Sequence, residues 1–379
     1  MSIFNLIKNN IMKKLIYFFL VILIYSCESE PANNADEESQ NSAEVDQVLV
    51  ENGIQTLMNC LEFLETGDFS NLLIDVYDDV DEDATDFHDT MLDAVEDIPN
   101  YQPLIDSDYP NEPFNLQSYF GTYTYNSQLQ SWTTASSNSM MKMVFPLFTH
   151  SNSPDTTITI SNASEQLMDI EDPIYIPVSL SVNMSYNDQT MFALNIDNVN
   201  YTMYGEIPVP DDVNFNIYMN PFTHDFSIDK ISDDLFSVGY DLSSSDDGCV
   251  TQLQASIKLL NTDYENLEDT DIDFINGEFT TNSLKVEFNI DAEYLFAIDD
   301  PTNLQINNLV DVMVYEDGTL LGEIELQDEA DDESSVHMVF VDGTSVNIES
   351  FSGIGSDAEE FVQTLEGIFS RYIDRLDDE

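Results

Sequence analysis

Apolar residues follow two different periods along this chain. From Val45 to Ile98 the spacing is helical: Ile54, Leu57, Met58, Leu61 and Leu64 recur at i, i+3, i+4 and i+7, and Gly67 stops the pattern. Phe69, Leu72, Leu73 and Val76 predict a second short helix, and Phe87, Met91, Leu92 and Val95 a third. Residues 43–99 therefore read as a helical region. Beyond Pro113 the period falls to two. Val178, Leu180, Val182, Met184 and Tyr186 alternate with Ser179, Ser181, Asn183 and Ser185, which is the pattern of a sheet with one dry face. Asn187-Asp188 marks a turn into a strand from Met191 to Ile196. Val213, Phe215, Ile217 and Met219 alternate in the same way, as do Leu284, Val286, Phe288 and Ile290.

Two hairpins are signalled near the end. Val310 to Tyr315 and Thr319 to Leu326 flank Asp317-Gly318, while Val336 to Val341 and Thr344 to Ile348 flank Asp342-Gly343; such pairs supply the positive φ angles of tight turns. Ser356 and Glu359 can form a capping box for a last helix over 356–377, with Phe361, Val362, Leu365, Phe369, Tyr372, Ile373 and Leu376 as its stripe. Helices first, an antiparallel sheet meander over 114–350 and one helix packing on it give an α+β fold. The helices are expected to cover the apolar sheet face and water to wet the Ser, Asn and Thr face. About 350 residues after the leader leave one or two domains open.

Charge narrows the range of partners. The formal net charge is −65, with 9 basic residues against 74 acidic ones. Lys and Arg this sparse cannot form the clusters that bind nucleic acid, which excludes it as a partner. Disorder, the other reading of high charge, does not fit most of the chain, because 42% of its residues are hydrophobic and 11% aromatic.

The N-terminus carries an address. Lys13 and Lys14 precede an unbroken apolar run, Leu15 to Tyr25, followed by Ser26 and Cys27. The run is too short to finish as a transmembrane helix, which needs roughly 20 residues, but it suits the core of a signal peptide over 1–26. Met12 stands directly before the lysine pair and is an alternative start. Ile24, Tyr25, Ser26 and Cys27 resemble the lipobox of bacterial lipoproteins, with Tyr25 bulkier than the usual occupant. The resemblance implies cleavage before Cys27, acylation of its sulfur and tethering to a membrane. Acyl chains contribute about 0.8 kcal/mol per buried CH₂, so two or more hold a protein stably. The following polar run, 27–42, has the composition of a disordered acidic linker. Its acidic residues resemble the export signal that takes lipoproteins of Bacteroidota-type bacteria to the outer face of the outer membrane. An exported chain meets an oxidising environment, in which Cys60 and Cys249 can pair; two separate buried thiols are the favoured expectation, because Cys60 falls within an apolar helical stripe.

Motifs for chemistry are sparse. His88, His150, His224 and His337 sit in no recognisable catalytic pattern, and Gly353 to Ser356 reads as a loop and helix cap rather than a nucleophile elbow. Carboxylates are too abundant for any pair to stand out as a glycosidase acid and base. Asp79, Asp81 and Asp83 alternate, as do Asp269, Asp271 and Asp273, and carboxylates so spaced can converge on Ca²⁺ when a loop curls. Neither run matches an EF-hand, since Ala84 and Phe274 stand where the loop needs Gly. A solvated acidic loop is the favoured reading of both.

Two functions from different classes fit. One is a non-enzymatic binding or assembly module at the cell surface, contacting protein or glycan; Tyr123, Tyr125 and Trp132 are its candidate binding aromatics, although on a hairpin such residues are more often packing. The other is an envelope carrier of lipid or another hydrophobic ligand, suggested by 23 Phe, 18 Tyr and 14 Met. A secreted hydrolase ranks below both.

Overall fold

The computed structural model describes residues 46–53, 55–56, 60, 67–73, 75, 116–129, 131–148, 151, 153–168, 174–205, 207–244, 248–264, 266–298, 302–328 and 334–348. The leader, the linker, the third helical stripe and the C-terminal helix lie outside these residues. Within them strands dominate, and no helix is long and apolar enough to cross a membrane. The chain divides into a central unit, Leu64–Lys230 with Tyr240–Gly248, and a flanking unit, Met1–Phe63, Ile231–Gly239 and Cys249–Glu379.

The central unit is built on β1 (Gly121–Asn126), β2 (Ser131–Ser136), β3 (Met140–Phe145), β4 (Thr156–Met168), β5 (Ile174–Tyr186), β6 (Gln189–Tyr204), β7 (Ile207–Met219) and β8 (Phe222–Ser232). Their order is β8-β7-β6-β5-β4-β3-β1-β2. Pairs from β3 to β8 are antiparallel, as alternation predicts. One pair departs from the largely antiparallel pattern. β1 lies parallel to β3, Gly121 facing Met141 on one side and Ser136 of antiparallel β2 on the other, so the sheet is mixed. The chain from Ser136 to Met141 crosses the end of β1. Two strand spacings amount to about 10 Å, which a few extended residues at about 3.3 Å each can bridge.

The β5–β6 turn carries Asn187 and Asp188 at φ 49° and 64°, the left-handed pair of a two-residue hairpin. On one face of the central unit, Tyr119, Tyr123 and Met141 form a buried cluster, and Tyr125 and Phe145 another. Helical residues 68–73 lay Leu72 against Phe148 and Met191, and Phe69 against Phe192 with ring centroids 5.5 Å apart. Gly67 sits where a Cβ would come within 3.2 Å of the Asn220 carbonyl oxygen, which fits its place between two helical stretches.

Strand β9 (Leu235–Ser244) begins in the flanking unit and ends in the central one. The flanking unit continues with β10 (Val250–Leu259), β11 (Ile272–Thr281), β12 (Leu284–Asp291), β13 (Val310–Glu316), β14 (Thr319–Asp328), β15 (Ser334–Phe340) and β16 (Ser345–Asn347), each from β11 onward antiparallel to the one before. Alternation along β13 is clean: Val310, Val312 and Val314 are buried while Asp311 and Met313 are exposed. Helical residues 46–53 place Val50 in a core with Leu284, Val314, Leu321, Val336, Met338, Phe340 and Ile348. The hairpin at Asp317-Gly318 forms as predicted, with φ 45° and 79°. At Asp342-Gly343 only Gly343 is left-handed, at φ 87°; Asp342 instead accepts the Thr344 N–H through Oδ1 at 2.9 Å, so this loop is a different turn from the two-residue type.

Two short helices interrupt the expected meander: α1 (Ala292–Ala297) and α2 (Asn303–Leu309). They cover a second core, Ile272, Ile275, Phe288, Ile290, Val310 and Val312, with Leu295, Phe296, Ile306 and Leu309. Thr302 and Gln305 make a capping box for α2, and Asn307 fastens it to β14 by donating to the Leu326 carbonyl at 2.8 Å and accepting the Leu326 N–H at 2.9 Å. Neither helix is long enough to show a 3.6-residue period. The cysteines correct another expectation: Cys60 and Cys249 are joined in a disulfide, with Cα atoms 5.4 Å apart. Burial of each was foreseeable, but periodicity does not say which buried faces meet.

Candidate binding face

Strand register turns scattered polar residues into rows. In the flanking unit the solvent face of β10–β13 aligns Gln254, Glu278, Glu287 and Met313 across the strands, and beside them Ser256, Asn276, Asn289 and Asp311. Successive members lie one strand spacing apart, about 4.8 Å. Both rows line a concavity of about 480 Å³. Gly277 and Phe288 also line it, and a Cβ at Gly277 would fall 2.7 Å from the Phe288 ring and 2.2 Å from the Gln254 carbonyl oxygen. Only glycine lets the strands meet there.

Lys285 sets the local electrostatics. Its Nζ lies 2.5 Å from Glu287 and 3.6 Å from Glu278, and 5.0 Å above the Tyr315 ring. The hydrogen bond to Glu287 raises the lysine pKa, and the same bond lowers that of Glu287. Glu287 in turn raises Tyr315. Asp311, exposed, adds negative charge to the rim. Amides, a hydroxyl and carboxylates in this arrangement can donate to and accept from a neutral polar ligand, and they repel an anion.

The central unit repeats the theme on a smaller scale. Ser161, Ser181, Asn195, Asn216 and Asp225 form one row across β4–β8, and Asn216 Nδ2 donates to Asp225 Oδ1 at 2.6 Å. Its last two members, Asn216 and Asp225, border a concavity of about 280 Å³ together with Asp197, Asn214 and Asp241.

The residues singled out from sequence fall in different places. Tyr123 and Tyr125 are buried at 7% and 6% exposure, and Trp132 stacks edge-on against Tyr125 and Phe145, so these rings pack the central unit and do not form a stacking platform. Asp269 and Asp271 belong to a 3₁₀ turn and Asp273 to β11. Asp271 spends both oxygens on its own loop, Oδ1 accepting from Asn261 Nδ2 at 2.5 Å and Oδ2 from the Glu268 N–H at 2.9 Å. Among the described residues no three of His, Cys, Asp and Glu gather as a metal site. Asp79, Asp81, Asp83 and Cys27 lie outside them, as do His88 and His150. The polar rows themselves were not found from sequence beyond a general Ser/Asn/Thr face, because a row exists only once register is known.

The remaining histidines are held by hydroxyls. His337 lies 2.8 Å from Ser335 Oγ through Nε2 and 3.0 Å from Ser345 Oγ through Nδ1. His224 projects from β8 opposite Ile217, its Nδ1 3.0 Å from the Tyr240 hydroxyl. Burial lowers the His224 pKa from its ordinary 6.5, with Asp225 pulling weakly the other way, and burial pushes Tyr240 up to about 12. A histidine depressed in the folded state stabilises above its unfolded pKa, and that contribution is lost as pH falls below it. The urea midpoint of the chain is therefore expected to fall more between pH 7.5 and 5 than that of His224→Gln, which keeps a partner for Tyr240 but does not titrate. Parallel pH profiles for the two proteins would refute this assignment.

The chain matches no protein-family model, no curated protein and no solved structure.

Proposed function

We propose that this protein is an exported, lipid-tethered module of the bacterial outer membrane that binds a partner at the cell surface through the polar sheet face of its flanking unit, without covalent chemistry. The Cys60–Cys249 disulfide carries the export half of the reading. Such bonds form and persist in oxidising compartments, where the leader ending at Ser26 would deliver the chain. The binding half is supported by the two aligned rows on β10–β13 and the concavity they line. Residues carrying hydroxyl, amide or carboxylate groups outnumber the others around both concavities, which supports a partner with polar groups to match.

The tether is tested in the native host. Cys27→Ser protein is expected to leave the membrane pellet for the soluble fraction, because an unacylated, strongly anionic body has nothing to hold it on lipid. If the variant sediments with membranes as firmly as the parent, the tether is wrong.

A further inference from the structure

Carboxylates are distributed unevenly along the chain. Between Glu112 and Asp155 there is none, although acidic residues make up 74 of 379, and Lys142 is the one charged residue in that interval. The interval holds β1, β2 and β3 of the central unit. β2 ends the strand order there, so among the described residues no strand pairs with its outer edge.

Exposed edges are ordinarily guarded by charge, proline, bulges or shortness. β2 has none of the first three, and it is not short. Ser131–Ser136 contains no charged residue and no proline, and it pairs with β1 over all six positions without a register shift. Thr133 to Ser136 are exposed, and Leu129 in the adjoining turn is 69% exposed. β16 shows the contrast: it is three residues long and flanked in sequence by Asp342 and Glu349.

An unguarded edge offers a row of backbone donors and acceptors to another strand. The charge pattern selects which strand. A basic partner would be drawn to carboxylates and a neutral one is indifferent to them; only a strongly anionic partner requires their removal. A second copy of this chain, at −65, is such a partner. We infer that β2 pairs antiparallel with β2 of a second copy, giving a two-fold symmetric dimer joined edge to edge by backbone hydrogen bonds. A strand paired antiparallel with its own copy satisfies the self-complementarity of a two-fold interface. The rest of the surface repels. Salt screens that repulsion over a Debye length of about 8 Å at physiological strength, while hydrogen bonds at strand spacing persist. Association therefore strengthens with salt, the reverse of a complex held by opposite charges. The inference is independent of the tether at Cys27.

The test is chemical cross-linking of the full chain in non-ionic detergent, with sedimentation velocity, at low and physiological NaCl. A dimer whose population grows with salt is expected. Thr133→Glu and Ala135→Glu, which alter exposed side chains, abolish it and leave the melting temperature unchanged. An equimolar mixture of Thr133→Glu and Thr133→Lys recovers it. A monomer at every salt concentration, a dimer that weakens with salt, or a dimer indifferent to both substitutions would overturn the proposal.

Discussion

Reduction of the Cys60–Cys249 disulfide is expected to cost about 5 kcal/mol of stability, because the bond closes a loop of 189 residues and loop entropy grows with the logarithm of length. Against total stabilities of about 5–15 kcal/mol, such a loss is a large fraction. The bond also acts locally. Cys60 and Cys249 are each 2% exposed, and the link holds a helical residue at the start of β10. Urea unfolding with and without reductant reads the effect directly, and the Cys60→Ala/Cys249→Ala double variant is expected to match the reduced protein. An unchanged midpoint in both would show that packing alone holds these segments.

The second large effect belongs to Gly322. It stands in register between Val314 of β13 and Phe340 of β15, and a Cβ built on it would lie 2.2 Å from the Val339 carbonyl oxygen and 2.9 Å from the Phe340 Cα. Both contacts are backbone, so no side chain can swing aside. Gly322→Ala is expected to cost about 3 kcal/mol, at the upper end of ordinary overpacking, and Gly322→Val to prevent folding of the flanking unit. Gly318→Ala makes the comparison informative: its Cβ would meet nothing within 4 Å, and only its φ of 79° opposes the change. A smaller loss is expected there, of about 1 kcal/mol. Equal losses at the two positions would mean that backbone conformation, not close approach, governs Gly322.

Sequence made some of this legible and hid the rest for physical reasons. The alternation in Val178 to Tyr186 and the Asp317-Gly318 pair encode local preferences, and both appear where periodicity and turn chemistry put them. The parallel β1–β3 pair was invisible because nothing in Gly121–Asn126 says on which side a third strand will lie. α1 lies inside the stretch whose pattern points to a meander, 114–350, and its six residues, Ala292–Ala297, are fewer than two helical turns and too few to show a period of their own. Pairing of Cys60 with Cys249 depends on tertiary placement that no local pattern holds. Tyr123, Tyr125 and Trp132 looked alike as binding or packing residues until burial separated the two roles. The candidate face was the least legible feature. Glu278 and Glu287, or Asn276 and Asn289, become neighbours through register alone, and a slip of one residue would send them to opposite faces.

Strand order also bears on how the chain matures. From β4 onward within the central unit, and from β11 onward within the flanking unit, each strand lies beside its immediate predecessor. A polypeptide emerging N-terminus first would then find a finished template waiting at every step, and each hairpin can close in microseconds without a distant search. Among the described strands only β1 must wait for β3 to gain its second neighbour, so their assembly order is nearly the order of synthesis.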